Sequence, residues 1–254
     1  MSEFQNLTKD PELLSKNFAD FSFSILTIKQ HISIAILIHS VRGKTMLRNC
    51  QRIFLRIYSP KSLIHSHYSN MSSALVILPS GAEEIEFVGT VDLLRRAGIT
   101  VTVGGLDGKD PVKCSRDVLI VPDVDLKDVA KSQFDAIVLP GGLGAAKSMS
   151  ESSLTGEILK NQEKEGKLIA AICASPAMVF KAHEIGQNKK ITCYPSFKDD
   201  LGSKYTFVDE KVVQDGQLIT SQGPSTVFDF ALKVIEHLCG KDKSDTVAKQ
   251  ILYK

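Results

Sequence analysis

From residue 74 onwards, short apolar runs alternate with segments in which apolar residues recur every three or four positions. The run from Ala74 to Leu78 ends at Pro79, which is typical of a buried parallel strand. The next segment, residues 83–97, has helical periodicity and is followed by Gly98, which favours helix termination. We expect its regularly spaced apolar side chains to form the buried face of the helix: Ile85, Val88, Val91 and Leu94.

The same alternation continues through the rest of the chain. Short apolar runs predict further single strands at residues 99–103, 135–139 and 167–172. A helical segment lies between the last two strands, and residues 228–238 predict a closing amphipathic helix. Residues 112–121 and 211–220 each predict a β-hairpin. This pattern indicates an α/β protein in which helices cover both faces of a mostly parallel sheet.

The amino-terminal 70 residues lack this alternation, and their charge balance differs. They hold nine Lys and Arg residues against four Asp and Glu, and no acidic residue occurs between Phe21 and Ala82. We therefore predict a basic, disordered extension over residues 1–70 and one folded domain over residues 71–254. The longest apolar run of the extension, residues 32–38, is too short to span a bilayer, so no membrane span is expected.

Residues 46–70 of the extension allow a second interpretation. Arg48, Arg52 and Arg56 recur every four residues with apolar side chains between them, and Ser-rich sequence follows. A basic amphipathic helix without acidic residues is typical of a mitochondrial transit peptide. Both interpretations, a targeting segment and a disordered extension, stay open. We expect a cytoplasmic protein, with mitochondrial and nuclear locations as additional possibilities.

The composition excludes several classes of protein. Hydrophobic residues make up 43% and charged residues 24% of the 254 residues, which excludes an intrinsically disordered protein. The 31 basic and 29 acidic side chains nearly balance and give no reason to expect a nucleic-acid partner. The five cysteines contain no Cys-x-x-Cys pair, which argues against a zinc module and for a reducing compartment. We expect neither a metal nor a cofactor.

One predicted strand ends at a cysteine, and ligands of open parallel sheets bind at the carboxyl ends of strands. Cys173 follows a strand of small residues, and Ser175 and Pro176 suit the N-cap and first turn of a helix. Such a turn predicts an exposed thiol beside a helix N-terminus, which lowers the thiol pKa. The alternative interpretation, a small buried core residue, stays open at this point.

Two other strand ends supply groups that fit around such a thiol. Gly141 and Gly142 follow a strand, and a backbone N–H there, with that of Ala174, could form a hole for an oxyanion. Glu86 lies in the first helix at the same end of the sheet, where a nearby thiolate would favour its protonated form. The simpler interpretations are an ordinary turn for the glycines and a helix-dipole residue for Glu86.

Taken together, these stretches resemble the DJ-one (Parkinson disease protein seven) family of the ThiJ/PfpI superfamily. The similarity runs in order from Ser73 to the end of the chain. The matching stretches are residues 74–78, 81–86, 95–99, 110–117, 138–142, 168–174, 183–186 and 223–224. The resemblance implies a flavodoxin-like three-layer sandwich that forms a homodimer.

The resemblance also implies roles for individual residues. Cys173 corresponds to the family's oxidisable nucleophile, Glu86 to the carboxyl that contacts its sulfur, and Gly142 to the glycine of the oxyanion site. Arg116 corresponds to the arginine that reaches the neighbouring subunit's site. The family's usual active-site histidine corresponds here to Tyr194, whose ordinary pKa near 10 makes it a poor general base at neutral pH. This difference puts catalytic efficiency in doubt, and we expect Tyr194 to be a spectator in proton transfer.

The family's activities set the functional expectation. They are glutathione-independent glyoxalase action on methylglyoxal and removal of early glycation adducts from proteins, so the resemblance implies a deglycase or glyoxalase that acts through Cys173. The expected partners are methylglyoxal-type aldehydes, glycated proteins and a second copy of the chain. The alternative is a non-catalytic redox sensor or chaperone that signals by oxidation of Cys173. Gln222 stands where the family has an arginine, which removes a positive charge near the site.

Overall fold

The computed structural model describes residues 71–254. The expectations for residues 1–70, including the targeting segment at 46–70, lie outside the described residues. Within residues 71–254, no helix has the length and apolar character needed to cross a membrane.

The strands of the described domain alternate with helices along the chain. In chain order they are β1 (Ser73–Leu78), β2 (Thr100–Gly105), β3 (Val112–Lys113), β4 (Leu119–Ile120), β5 (Val124–Asp125), β6 (Ala136–Leu139), β7 (Leu168–Ile172), β8 (Lys190–Ile191), β9 (Thr206–Phe207), β10 (Val212–Asp215) and β11 (Leu218–Ser221). Seven of them form one sheet in the order β10-β11-β7-β6-β1-β2-β5. Neighbouring strands in this sheet are parallel except for the β10–β11 hairpin.

Helices surround this sheet. They are α1 (Glu84–Arg96), α2 (Leu126–Val129), α3 (Leu143–Glu151), α4 (Ser153–Lys164), a π-helix (Pro176–Phe180), α5 (Lys181–His183), two 3₁₀ helices (Pro195–Lys204 and Pro224–Thr226), α6 (Val227–Cys239) and α7 (Lys241–Gln250). Helix α6 packs against both α1 and α7, whereas α3 packs against α4 and the π-helix. The predicted α/β fold with a mostly parallel sheet is confirmed, and it is the flavodoxin-like sandwich that the resemblance implied.

The central strands are apolar because both of their faces are covered. All residues of β6 and β7 are buried, as are all residues of β1 after Ser73. Because parallel strands of this kind are buried on both faces, their sequences are uninterrupted apolar runs. The strands predicted at residues 74–78, 135–139 and 167–172 are confirmed within one residue at each end.

The buried face of α1 differs from the prediction. Ile85 and Val88 are 56% and 51% exposed, whereas Val91 and Leu94 are buried as expected. Phe87 occupies the core instead, and Glu86 beside it is fully buried. The end of the helix follows the prediction, because Gly98 adopts a φ of +80° and its N–H donates to the carbonyl of Arg95.

The chain also forms elements that the sequence pattern did not predict. Helix α7 follows the helix that was expected to close the chain, and β5 adds an edge strand to the sheet. The predicted hairpin at 112–121 forms β3 and β4, but these strands make a separate two-stranded sheet. This hairpin is tied to the turn before α1, because the N–H of Ser115 donates to the carbonyl of Ala82 over 2.8 Å.

Candidate active site

Cys173 lies directly after β7 on a strained turn. Its φ of +64° is in the left-handed region, which non-glycine residues rarely adopt. Two neighbouring segments hold this backbone: the N–H of Cys173 donates to the carbonyl of Ser221 over 2.9 Å, and its carbonyl accepts from the N–H of Tyr194 over 2.8 Å. The structure therefore places the cysteine on the sharp strand-to-helix turn that the sequence predicted, and its strain is of the kind found at functional sites.

The residues after Cys173 depart from the prediction in one respect. Pro176 occupies the first turn of the helix as expected. Ser175 does not act as an N-cap, because its backbone is already helical and its hydroxyl donates to the carbonyl of Pro140. This buried hydrogen bond instead joins the turn after β7 to the turn after β6.

The backbone around the sulfur forms a pocket of hydrogen-bond donors. The N–H groups of Gly142 and Ala174 both donate to Cys173, and each lowers the pKa of the thiol. Gly142 adopts a φ of +96°, which an L-residue rarely adopts, and caps the start of α3. The predicted oxyanion donors are therefore brought to the cysteine.

Glu86 is the carboxyl group of the site. Its side chain is fully buried, and Oε2 accepts a hydrogen bond from the N–H of Gly141 over 2.8 Å. Oε1 has no hydrogen bond of standard geometry within residues 71–254, and the thiol of Cys173 is the side chain that interacts with this carboxyl. Burial, reinforced by the charge of Glu83, raises the pKa of Glu86 to about 8.

The predicted low pKa of Cys173 is wrong. Burial raises the pKa of the thiol, and the negative charge of ionised Glu86 raises it further, against the smaller lowering by the Gly142 and Ala174 N–H groups. The two groups therefore titrate as a pair that holds both protons at neutral pH. Loss of the first proton from this pair occurs near the pKa of Glu86.

Gly141 lies at the point where Glu86 and Cys173 approach each other. A Cβ atom at Gly141 would be 2.3 Å from Glu86 Oε2 and 2.4 Å from Cys173 Cβ. Only a residue without a side chain allows this approach, so the glycine has a packing role in addition to the turn. The N–H of Glu83 donates to the carbonyl of Gly141 over 2.9 Å and fixes this loop against the start of α1.

Arg116 lies in the loop between β3 and β4, where its side chain is exposed. Its guanidinium Nη1 donates to the carbonyl of Ser115 over 3.0 Å. Glu84 holds this loop, because its carboxylate accepts from the Ser115 hydroxyl over 2.8 Å and from the backbone N–H of Arg116. Within one chain the structure thus links Arg116 to the first turn of α1.

Tyr194 borders the same turn, and its side chain is 43% exposed. Its ring lies over Gly223, where a Cβ atom would be 3.3 Å from Tyr194 Cδ2. Gln222, the neighbour of that glycine, donates from Nε2 to Asp209 over 2.8 Å. Three segments therefore meet at Cys173: the turn after β7, the start of the 3₁₀ helix at Pro195 and the end of β11.

The other described cysteines have surroundings unlike those of Cys173. Cys114 and Cys193 are buried, which raises their pKa values to about 11 and about 12. Cys239 is half-buried at the end of α6. Cys50 lies outside the described residues. No group of three or more His, Cys, Asp or Glu side chains within residues 71–254 is arranged to hold a metal ion.

The sequence interpretation missed three residues that organise this site. Glu83 caps α1 by accepting from the N–H of Glu86 over 2.9 Å. Glu84 holds the Arg116 loop, and the carbonyl of Ser221 fixes the Cys173 backbone. The run of acidic residues at the start of a helix could have indicated Glu83 and Glu84. The role of the Ser221 carbonyl could not be predicted, because every residue has a backbone carbonyl.

A buried carboxyl beside a cysteine on a strand-to-helix turn, at the carboxyl edge of a parallel sheet, defines an α/β protein with a nucleophile-elbow thiol site. The sequence profile of the DJ-1/PfpI family matches residues 72–237. The chain belongs to this family, as the sequence resemblance implied.

Individual relatives agree with this assignment. "Protein dj-1beta" of Drosophila melanogaster is 56% identical over 181 residues, which are 71% of this chain and 96% of the relative. "Glutathione-independent glyoxalase DJR-1.2" of Caenorhabditis elegans is 44% identical over 181 residues, 70% of this chain and 95% of the relative. The crystal structure of Drosophila melanogaster DJ-1beta superposes with a TM-score of 0.71 at 55% identity, covering 72% of this chain and 98% of that one.

Proposed function

We propose that this protein is a glutathione-independent glyoxalase that converts methylglyoxal to lactate through Cys173 and also removes early glycation adducts from proteins. The observation that carries the proposal is the buried carboxyl of Glu86, which lies against Cys173 with its Oε1 free of other partners. The relative from Caenorhabditis elegans whose name is a glutathione-independent glyoxalase supports the choice of reaction.

The first step forms a bond between sulfur and the aldehyde carbon. In molecules in which the pair has lost its first proton, the Glu86 carboxylate accepts the thiol proton as Cys173 attacks, and the carbonyl oxygen becomes an oxyanion. The N–H groups of Gly142 and Ala174 stabilise this charge, and Glu86 then returns the proton to give a hemithioacetal. A pKa of about 8 suits this role because the group gains and loses a proton near physiological pH.

The second step moves hydrogen within the substrate. Glu86 removes the proton from the former aldehyde carbon, which gives an enediolate. The hydroxyl proton on that carbon passes to the former ketone oxygen, and Glu86 returns its proton to the former ketone carbon, which gives a lactoyl thioester of Cys173. Water then attacks the thioester carbonyl, lactate leaves, and the thiol regains its proton. The substrate's aldehyde carbon is oxidised and its ketone carbon is reduced, so no external oxidant or reductant is needed.

Removal of glycation adducts uses the same groups. Early adducts of methylglyoxal on protein Cys, Lys and Arg side chains release the aldehyde reversibly, and transfer to Cys173 gives the same hemithioacetal. The exposed rim at Tyr194 is compatible with access from a macromolecule, since this side chain lies at the surface.

Steady-state production of lactate from methylglyoxal tests the proposal. We expect turnover in the wild-type protein and complete loss in Cys173→Ala. Cys239→Ala is the matched control, because Cys239 is also half-buried but lies at the end of α6. Lactate formation that persists in Cys173→Ala would refute the proposal.

A redox sensor is the second candidate, and the same donors favour it. A sulfinate on Cys173 would present oxygens to the N–H groups of Gly142 and Ala174 and to a protonated Glu86. A structure of a relative, "Toxoplasma gondii DJ-1, oxidized", superposes with a TM-score of 0.68 at 36% identity, covering 72% of this chain and 98% of that one. Stoichiometric oxidation of Cys173 by peroxide, without methylglyoxal turnover, would favour the sensor over the enzyme.

We also propose that the working form is a homodimer. An exposed apolar surface supports this, and its members on α1 and the β3–β4 segment are Ile85, Val88, Val118, Leu119 and Val121. The two segments adjoin, because Glu84 of α1 holds the loop between the strands. Burial of such a surface against a second copy would remove it from water and bring Arg116 to the interface.

For localisation we propose the cytoplasm, with residues 46–70 as a candidate mitochondrial signal. The basic, acid-free pattern of this segment supports the proposal. A fusion of residues 46–71 to a fluorescent reporter tests it. Mitochondrial fluorescence is the expected result, and a diffuse cytosolic signal would reject the targeting role.

A further inference from the structure

An aromatic ring stands at the rim of the thiol site without a role in the proton transfers above. Tyr194 lies next to the cysteine through its backbone, whose N–H donates to the carbonyl of Cys173 over 2.8 Å. The position of the ring is set on two sides. Gly223 lies beneath Cδ2, and the ring of Phe197 packs at 6.3 Å between centroids with an angle of 56°.

The remaining surface of this ring is open, because 43% of the side chain is exposed. The neighbouring Gln222 points to Asp209, so its amide is already hydrogen-bonded. Leu143, which follows the oxyanion donor Gly142, is 63% exposed. An open aromatic face of this kind favours planar, apolar groups over a methyl group.

We propose that Tyr194 is a specificity-determining residue that makes the site prefer 2-oxoaldehydes with an aromatic substituent over methylglyoxal. The inference rests on the proposed glyoxalase reaction, which supplies its substrates. The contact that it describes is made by the tyrosine ring and not by the groups that transfer protons. The reacting carbons, the thiol and Glu86 act as in the methylglyoxal reaction. The substituent on the ketone carbon packs on the tyrosine ring.

The test compares an aromatic with a small reagent in two reactions. The first is turnover, measured as the ratio of kcat/KM for phenylglyoxal to that for methylglyoxal. The second is alkylation of Cys173 by N-benzylchloroacetamide relative to chloroacetamide, followed by peptide mass spectrometry. Alkylation needs no turnover, so it separates a failure of this inference from a failure of the proposed enzyme.

The expected result is a preference for the aromatic reagent in both reactions. Tyr194→Ala should reduce that preference about 3- to 10-fold, the size of an aromatic contact, whereas Tyr194→Phe should retain it. Phe228→Ala is the matched control, because Phe228 is 40% exposed but packs on Tyr253 at the carboxyl end, and it should leave both ratios unchanged.

Gly223→Ala provides a variant that keeps the ring and displaces it. The backbone of Gly223 is extended, so an alanine is allowed there, but its Cβ would be 3.3 Å from Tyr194 Cδ2. In this variant, the preference for the aromatic reagent should be smaller than in the wild type and larger than in Tyr194→Ala. Equal alkylation ratios in folded wild type and Tyr194→Ala would overturn the inference, as would loss of the preference in Tyr194→Phe.

Discussion

The carboxyl of Glu86 and the thiol of Cys173 form one acid pair, in which the thiol hydrogen-bonds to the carboxyl and the negative charge of ionised Glu86 opposes ionisation of the thiol. Burial alone disfavours both charged forms, and no cation is among the groups that shift either pKa. The single negative charge that the pair acquires near pH 8 lies on the Glu86 carboxylate, because the pKa of the thiol is raised to about 12. The carboxylate formed in this titration is the base that the proposed mechanism assigns to Cys173, so the reactivity of the thiol should follow the ionisation of Glu86.

The pH dependence of Cys173 alkylation should report this pair. In the wild-type protein, the rate constant for iodoacetamide should rise with pH through a midpoint near 8, the pKa of Glu86. Glu86→Gln removes the carboxylate, so the step near 8 should disappear and the pKa of the thiol should fall, because ionised Glu86 raises it. A step near pH 8 that survives in Glu86→Gln would show that another group titrates there.

Glu86 should also make the stability of the fold depend on pH. Its pKa is raised from 4.5 to about 8 on folding, so the folded state favours the protonated carboxyl. The free energy of unfolding should therefore fall as pH rises from about 4.5 to 8, by up to several kcal/mol at ~1.4 kcal/mol per pKa unit. Urea denaturation of the wild type and Glu86→Gln at several pH values in this range measures the difference between their free energies of unfolding. As the pH rises, the variant should become increasingly stable relative to the wild type. A constant difference would contradict the raised pKa.

The close approach at Gly141 predicts a sharp contrast between two glycines. Gly141→Ala would place a methyl group 2.3 Å from Glu86 Oε2, so we expect lost activity and about 1–3 kcal/mol of lost stability from overpacking. Gly144→Ala is the control, because its Cβ would meet no atom closer than 3.7 Å. Thermal unfolding and lactate production test both variants, and normal activity in Gly141→Ala would show that the site tolerates separation of the two groups.

The homodimer prediction concerns the exposed apolar surface of α1 and the β3–β4 segment. Leu119→Asp should place a charge in the interface and give a monomer by light scattering at micromolar concentration. Leu252→Asp is the control, because Leu252 is 85% exposed but lies at the carboxyl end of the chain. A Leu119→Asp protein that keeps the dimeric mass would place the interface elsewhere.

The sequence was sufficient for the fold because buried parallel strands leave uninterrupted apolar runs, as in β1, β6 and β7. It was insufficient for the outward face of α1. Ile85 and Val88 have the spacing of a core face, yet they are exposed; burial against a second copy in the proposed homodimer would account for their apolar character. Helix α7 escaped prediction because its residues are mostly polar and only two are buried.

The position of Cys173 was predictable, but its electrostatics were not. The turn followed from small residues before the cysteine and from Pro176 after it. The pKa depends on how deeply the thiol and Glu86 are buried together, and a sequence shows neither burial nor the distance between two loops. The expected low pKa was based on the helix N-terminus, which lowers the pKa of a thiol. It did not include desolvation, which raises the pKa of Cys173.

Turnover of methylglyoxal by Glu86→Gln tests the central claim most directly. Lactate production should fall by about 100-fold or more, the contribution of a general acid–base, because the amide cannot carry the substrate proton. Alkylation of Cys173 in the same protein should persist, which would show that the thiol and the fold remain intact. Turnover at the wild-type rate in Glu86→Gln would contradict the claim that Glu86 serves Cys173 as its proton carrier.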